Sequence, residues 1–575
     1  MRLVRTIRIL LLALVLLPAL AHASFRLEVT GLRGNLLENV RLFVGEPASS
    51  DPLVVRRHAE QAEGRAREAL EALGHYDADI RVSARRDRDT LVIHLEIDPG
   101  EPIRLGTVQI DLEGAAAEDP AFAEWLARLP LREGDILHHG RYEDAKRALE
   151  TLALSRGYFD AEFLQHEIRI HRSDRRADIF LRYESGPRYR LGPVRFPATP
   201  LHERLLIRLV PFQTNQPYSA EEVAALHRDF INSDYFEEVR FRPRPEEADE
   251  HLAVPIDADL KAAPRNRVGI GVGATTDVGP RLRLEWAWPR VNARGHSARI
   301  HNELSLVRQD VSAQYTVPLR PPLDHQLHFT TGRQREDIED TETETLRAEV
   351  RRRRLWKNGW QHNLFIRWER EHYTQADVRD TTTLTIPGFS IGRTRRRGLP
   401  LVTRGDRIYG LFEAAHPDLF SDIAIARMLL QSKITRSLGP HRLSGRIEYG
   451  ALDTEDFDRT PPSLRFFAGG DQSVRGFGYQ TLGPRNDDDD LTGGRFLATG
   501  SLEYTYQFTA KWGAALFYDI GNASADRRFA EGFAEGTGFG LRWLSPLAPL
   551  RLDFAWGVSE SDPPFRVHFS MGTDL

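Results

Sequence analysis

The chain has 575 residues, no cysteine and a formal net charge of −5, from 78 basic and 83 acidic side chains. That length exceeds one ordinary hydrophobic core, so several domains are expected. The lack of cysteine excludes disulfides, thiol catalysis and thiolate metal sites, and the near balance of charge gives no pointer to nucleic acid.

At the start, Arg2, Arg5 and Arg8 precede an apolar run from Ile9 to Leu17, which Pro18 breaks, and Ala21-His22-Ala23 follows. Basic start, short apolar core and A-x-A site predict a secretory signal peptide over 1–23, with Ser24 as the mature first residue. The apolar run falls well short of the ~20 residues a membrane-spanning helix needs. No later run reaches that length, so a membrane crossing by this chain requires a closed barrel, whose strands satisfy one another's backbone groups.

The next part repeats. Gly74-His75-Tyr76-Asp77-Ala78, Gly157-Tyr158-Phe159-Asp160-Ala161 and Asp234-Tyr235-Phe236-Glu237-Glu238 recur at a spacing of roughly 80 residues. Pro102-Ile103-Arg104-Leu105-Gly106 is echoed by Pro187-Arg188-Tyr189-Arg190-Leu191-Gly192. An amphipathic helix is predicted before each aromatic motif. Its apolar positions are Ala59, Ala62, Ala66, Leu70 and Leu73 in the first repeat, then Ala145, Leu149 and Leu152, then Val223, Leu226 and Phe230. Gly74 and Gly157 stand where a helix end needs a left-handed residue. Strands are predicted over 78–84 and 90–97 after the first helix and over 107–112 before the second. Each repeat is therefore read as β-α-α-β-β, over 24–98, 99–186 and 187–264. The aromatic motif is read as a cap followed by a buried ring, since aromatics dominate the energetics of small cores.

From 265 to 575 the pattern changes to alternation. Leu282, Leu284, Trp286 and Trp288 alternate with Arg281, Arg283, Glu285 and Ala287. The same rhythm runs through Leu502 to Phe508, Trp512 to Ile520, Leu550 to Val558 and Phe565 to Met571. One face is apolar and aromatic, the other polar or small, as in a transmembrane barrel with lipid outside and a polar lumen. Asn358-Gly359 supplies a hairpin turn, and sixteen antiparallel strands are predicted. A soluble sandwich would alternate too, with its apolar faces turned inward; the aromatic density, the signal peptide and the run of strands to the last residues favour the membrane.

A long segment between two late strands contains Val474-Arg475-Gly476-Phe477, and a later strand reads Phe517-Tyr518-Asp519-Ile520-Gly521. By alternation Asp519 and Glu503 both face the lumen from consecutive strands, so a loop arginine could fork onto them in a partly dry interior. These motifs resemble the V-R-G-F/Y and F-x-D-x-G motifs of the outer-membrane assembly and secretion superfamily that includes BamA, TamA and the two-partner secretion transporters. The resemblance implies that Arg475 belongs to the sixth extracellular loop, folded back into the barrel onto acidic wall residues, and that the repeats are POTRA domains. Three repeats, with no room for a plug helix, resemble the TamA branch, a subunit of the translocation and assembly module. That implies a TamB-like periplasm-spanning partner anchored in the inner membrane, unfolded outer-membrane proteins such as autotransporters as clients, and a role with outer-membrane lipids. The alternative reading is a two-partner-secretion-type exporter pore. Phe569 is the terminal aromatic that resembles the family's, and since the chain runs on to Thr573-Asp574-Leu575, the closing strand is expected to finish early.

An assembly barrel is expected to close weakly between its first strand, 266–275, and its last, 565–573. Gly269, Gly271 and Gly273 on one side and Phe565, Val567 and Phe569 on the other form the expected lateral seam. The glycines either weaken the strand or relieve crowding at closure. A free edge there would accept a client strand by β-augmentation.

No catalytic residue, metal ligand or cofactor site is assigned. Gly388-Phe389-Ser390-Ile391-Gly392 matches the serine-hydrolase elbow, yet no helical period follows it. Asp487 to Asp490 lack the spacing of a calcium loop. The twenty histidines contain no H-E-x-x-H pair. Arg351 to Arg354 either meet lipopolysaccharide phosphates, line the lumen or mark a strand end.

Overall fold

The computed structural model describes residues 24–49, 51–87, 90–398, 401–546 and 548–572. The predicted signal peptide, 1–23, lies outside the described residues, as do Thr573, Asp574 and Leu575. The chain divides into two compact units. The first comprises 1–193, 213–224 and 243–256; the second comprises 194–212, 225–242 and 257–575.

In the first repeat, β1 (Ser24–Thr30) is followed by α1 (Gly34–Val44), α2 (Pro52–Glu60) and α3 (Ala62–Glu71), then β2 (Asp79–Asp87) and β3 (Thr90–Asp98). β3 is central, parallel to β1 and antiparallel to β2. Val40, Val44, Ala66, Leu70 and Leu95 form its core. The single helix expected from Ala59 to Leu73 is instead two. At Gln61 the backbone tightens to φ −90°, ψ −9°, which interrupts the ladder between Ala59 and Ala62, and Leu73 falls in the turn after α3. The periodicity placed the buried face correctly but could not see the break.

The second repeat follows the expected order more closely. It has β4 (Arg104–Glu113), α4 (Pro120–Ala127), α5 (His139–Arg156), β5 (Glu162–His171) and β6 (Arg176–Glu184), with β6 in the middle. The third has β7 (Arg190–Arg195), α6 (Glu203–Leu209), α7 (Ala220–Asn232), β8 (Phe236–Pro243) and β9 (Ala253–Ala262), in the order β7-β9-β8. Gly74 and Gly157 take left-handed φ of 88° and 86°, and Asp234 fills the same place at 62°. Tyr158 is buried behind its cap, edge-on to Phe122 at 5.3 Å. Tyr235 is buried too, and its hydroxyl donates to the Gly295 carbonyl at 2.7 Å.

The barrel closes with sixteen antiparallel strands among the described residues. They are β10 (Arg267–Thr275), β11 (Gly279–Trp288), β12 (Ser297–Leu304), β13 (Arg308–Pro318), β14 (His325–Ile338), β15 (Thr341–Leu355), β16 (Trp360–Gln375) and β17 (Val378–Arg397). The second half continues with β18 (Arg404–Ala415), β19 (Ile425–Leu438), β20 (His441–Asp453), β21 (Phe496–Gln507), β22 (Trp512–Ser524), β23 (Ala534–Leu544), β24 (Pro549–Gly557) and β25 (Phe565–Met571). Each pairs with its sequence neighbours, and the Asn358-Gly359 turn joins β15 to β16 with φ 84° at the glycine. Leu284, Trp286, Leu502, Leu516 and Tyr518 are exposed on the outer wall, whereas Phe517 and Asp519 are buried inside. A sandwich would bury the first set, so that alternative is removed. Ser390 lies in mid-strand on β17, and its hydroxyl accepts from the Asn363 amide at 2.9 Å, with no elbow around it.

The second repeat contains one charge cluster that holds its helices. Asp119 caps α4 by accepting from Ala121 N at 3.1 Å, and also receives Arg156 Nε at 2.7 Å, Tyr158 Oη at 3.0 Å and Arg188 Nη1 at 3.3 Å. Burial pushes the carboxyl upward, but Arg156, the capped amide and Tyr158 outweigh it, and its pKa is lowered. Burial and the neighbouring carboxylate push Tyr158 up to about 12. A carboxyl lowered on folding stabilises fully above its unfolded value, and that contribution is lost as pH falls through the lowered value. Asp119→Asn should therefore cost about 2–4 kcal/mol near neutrality, below the upper range for buried pairs because Arg156 and Arg188 are partly exposed. Hydrogen exchange of the α4 and α5 amides checks it. The variant should lose protection at pH 7, and the two proteins should converge in strong acid.

Candidate functional site

The lumen is organised around the long segment between β20 and β21, residues 454–495. Its base is held internally, since Arg465 donates to the carbonyls of Thr460, Thr492 and Asp458 at 2.8, 2.8 and 3.0 Å. Short antiparallel bridges, Phe466 with Gly494 and Ala468 with Leu482, fold it back on itself. Gly469, Gly470 and Gly476 adopt φ of 100°, 102° and 96°, which an L side chain rarely takes.

The tip of the segment carries Arg475, which is 5 % exposed. Its Nε and Nη2 fork onto Asp519 of β22 at 2.7 and 3.0 Å, and its backbone N–H also reaches Asp519 Oδ2 at 3.1 Å. Nη1 reaches Glu503 of β21 at 2.9 Å and Asp553 of β24 at 3.0 Å. The guanidinium lies 3.4 Å from the centre of the Phe517 ring, so the aromatic of the strand motif stacks beneath the charge it helps seat. Arg542 of β23 bonds Glu503 at 2.8 Å and also pairs with Asp553. Three lumenal carboxylates are thus met by two arginines, one from the wall and one from the loop.

The neighbouring motif residues explain the close approach. A Cβ at Gly476 would lie 2.7 Å from the backbone of Trp556 and Gly557. Val474 and Phe477 are buried on either side with Ala534. Gly521 lets β22 lie against β21, where a Cβ would sit 2.8 Å from Thr499 and from the Ala498 carbonyl oxygen. Asp519 and Glu503 come from the consecutive strands β22 and β21 and both meet Arg475 on the lumenal side.

Four participants were not foreseen. Asp553 and Arg542 carry the same lumenal alternation between Leu552 and Phe554 and between Leu541 and Trp543, so their inward direction was legible though their convergence was not. The row Gly536, Gly538 and Gly540 on β23 was a further signal. A side chain at Gly536 would collide with the Arg475 carbonyl, and one at Gly540 with Asp553. His568 of β25 accepts from Gly476 N–H through Nε2 at 3.1 Å, and its Nδ1 faces Asp277 at 3.7 Å. Asp277, in the β10–β11 turn, accepts from Asp471 N–H at 2.8 Å. The loop therefore touches both the first hairpin and the last strand. Among the described residues, no group of acidic or histidine side chains has the makings of a metal site.

The expected seam lies apart from this cluster. β10 pairs with β11 along its whole length, from Arg267 to Thr275, and β25 pairs with β24 from Phe565 to Met571. Among the described residues β10 and β25 share one pair, Thr275 with Ser570, supplemented by Thr276 N–H to the Phe569 carbonyl at 3.1 Å. Val268, Ile270 and Val272 are 69, 72 and 75 % exposed, values that mark an uncovered edge strand. The first strand begins one residue later than expected, and the last ends at Met571. At Gly269 and Gly271 a Cβ would meet nothing closer than 3.8 and 3.6 Å, so crowding does not require glycine there; only Gly273 is tight, against the end of Arg281.

Residues 291–575 match the Omp85 superfamily domain, and residues 26–99 match the POTRA domain of the TamA domain 1 type. The outer membrane protein assembly factor BamA of Nitratidesulfovibrio vulgaris is 32 % identical over 142 residues, 23 % of this chain and 18 % of that protein. The matched stretch is thus under a fifth of that relative's length. The crystal structure of BamA from Haemophilus ducreyi lacking POTRA domains 1–3 superposes with a TM-score of 0.68 at 14 % identity, covering 82 % of this chain and 99 % of that one. At that identity the likeness speaks for the fold.

Removing the loop arginine should deprive buried Asp519 of its forked guanidinium and leave Glu503 and Asp553 to the wall, with Arg542 among their partners. Arg475→Ala is expected to cost about 3–5 kcal/mol in the folded, loop-docked barrel, as when one partner of a buried pair is deleted. Lysine should restore little, because it cannot fork onto Asp519 while reaching Glu503. Protease cleavage within 454–495, scored together with the compact gel mobility of the folded barrel, checks this. An Arg475→Ala loop as resistant as the parent's would refute the docking role.

Proposed function

We propose, from the match of its barrel to the Omp85 superfamily domain, that this chain assembles other outer-membrane proteins through the lateral seam between β10 and β25. The barrel lies in the outer membrane and the POTRA domains in the periplasm. The observation that carries the reading is the single residue pair across the seam, beside full ladders on the far side of each seam strand. A client strand needs both edges hydrogen-bonded before it can enter hydrocarbon. β10 offers a row of unpaired backbone groups from Arg267 to Ala274, the template required for β-augmentation. Its glycines lower the cost of exchanging partners, since they contribute no side-chain packing to hold the native closure.

The finer assignment is to a translocation and assembly module. The TamA-type first POTRA domain and the three-repeat arm support it. The partner is then a TamB-like periplasm-spanning protein anchored in the inner membrane, and the clients are unfolded outer-membrane proteins such as autotransporters. Outer-membrane lipids are a second cargo of that module. The three-repeat arm favours assembly over an exporter pore, and the single pair between β10 and β25 favours the seam over the lumen as the route.

The absence of cysteine makes the test clean. Thr275→Cys with Ser570→Cys places one pair at the point where the strands already meet in register. Formation of that disulfide should abolish insertion of an autotransporter client into proteoliposomes, and reduction should restore it. Client insertion that continues through the locked barrel would refute the seam and point to the lumen.

A further inference from the structure

The outer wall at one end of β14 to β18 carries cations with no protein counterion. β10 enters the barrel at the periplasmic end, and the strands alternate in direction from there, so the end of β15, the start of β16 and the end of β17 all lie at that same end. Arg352 and Arg354 of β15 and Arg393 of β17 share the outward parity of Val350, Leu364 and Ile391. His325, Arg354 and His362 are register neighbours across three adjacent strands. Arg352 donates through Nε to His325 at 2.9 Å, and Arg393 stacks over Trp360 at 4.8 Å. None of these three arginines has a carboxylate within ion-pairing distance among the described residues. On the extracellular half of the same wall, Arg333 and Arg335 are each paired with a glutamate, Glu344 and Glu342, at 2.8 Å.

Directly toward the membrane centre from this cluster is an apolar groove of about 670 Å³. Its walls are Leu327, Val350, Leu364, Ile366, Phe389 and Phe412, and Arg352 stands at its edge. The groove arises where the β17–β18 ladder stops. Pairing of β17 with β18 begins only at Gly388, next to Pro387, which has no N–H to give, and Ala414 leaves the far side low. Of the carboxylates near it, Glu413 is taken up on the lumenal side by Arg367 and Arg427, both at 2.8 Å, and Asp406 of β18 by Arg436 at 2.9 Å. Trp356 and Trp360 mark the level at which an aromatic side chain sits between hydrocarbon and water.

We propose that this surface is a binding site for one anionic phospholipid of the periplasmic leaflet. Its phosphate would be held by Arg352, Arg354 and Arg393, and one acyl chain would lie in the groove. Each element fits the ligand's two-part chemistry. Uncompensated guanidiniums meet the phosphate at headgroup depth, and a hydrocarbon-lined depression sits one chain's reach further in. The placement also resolves the alternatives for the arginine run. Arg351 and Arg353 face the lumen, and Arg352 and Arg354 face the leaflet opposite the one that holds lipopolysaccharide. The inference rests on the barrel's position in the outer membrane and not on which client passes the seam.

The test is native mass spectrometry of the full-length protein in micelles containing equal phosphatidylglycerol and phosphatidylethanolamine. Wild type and the distant control Arg335→Gln should retain phosphatidylglycerol in several-fold excess. The triple variant Arg352→Gln, Arg354→Gln, Arg393→Gln should lose that excess while keeping the gel mobility of a folded barrel. Should the triple variant not fold, Arg354→Gln alone carries the test, and its excess must fall. Ala414→Trp fills the groove with every arginine intact, and it too should reduce retention. Equal retention of the two lipids by wild type, an excess unchanged in the arginine variants, or preference for added lipopolysaccharide would overturn the site. Retention untouched by Ala414→Trp would overturn the acyl groove.

Discussion

A strand in hydrocarbon must have its backbone hydrogen bonds met on both edges, and this requirement governs the rest of the molecule. Fifteen of the junctions around the barrel meet it with continuous ladders, and the sixteenth, between β10 and β25, meets it with one pair. The protein thus carries an exposed strand edge of the kind most barrels abolish by closure. The exposed valines and isoleucine of β10 and its small inward residues are two sides of the same arrangement. Nothing bulky on the inward face of that strand commits it to β25.

A weakly closed wall needs another source of rigidity, and the segment 454–495 supplies it. Arg475 binds strands β21, β22 and β24 at once, and Arg542 adds β23 to the same network. Charges buried this deeply stabilise only if every partner is present, because each unpaired member would retain its full desolvation cost. The consequence is cooperative. The four strands that precede the seam form one cross-linked block, and the loop that links them reaches past it to His568 and Asp277 on the two sides of the closure. The closure is therefore held from inside the lumen more than along its own edges.

How far this was legible in the sequence follows from which interactions are local. Alternation set the direction of Glu503 and Asp519, and a loop arginine with a V-R-G-F motif supplied their partner, so the centre of the site could be read from residues alone. The cap positions of Gly74 and Gly157 were legible for the same reason, since a left-handed residue after a helix is a local requirement. Register is not local. Nothing in the alternation of β24 says that Asp553 comes together with Glu503 three strands away, and the meaning of Gly536, Gly538 and Gly540 emerges only when the Arg475 backbone is seen packed on them. The break at Gln61 escaped because the apolar spacing continues unbroken through it. The Gly388–Gly392 motif misled in the opposite way. A five-residue pattern fits a hydrolase elbow and an ordinary barrel strand equally well until the surrounding backbone is known.

The two faces of the wall use arginine in different ways, and the contrast shows what each face is for. Inside, Arg475 and Arg542 are matched to carboxylates of the chain itself, so their cost is met at folding and the result is a fixed structure. Outside, at the periplasmic rim, Arg352, Arg354 and Arg393 have no carboxylate partner among the described residues, and the bilayer that surrounds the barrel provides phosphate at that depth. A side chain that completes its pairing only with a membrane component senses that component's presence. On this reading the inner arginines hold the loop against the lumenal wall, and the outer ones anchor the wall in its leaflet. The seam is then the part of the barrel able to exchange partners, because its own edges share one pair and the loop contacts at His568 and Asp277 hold it from within the lumen.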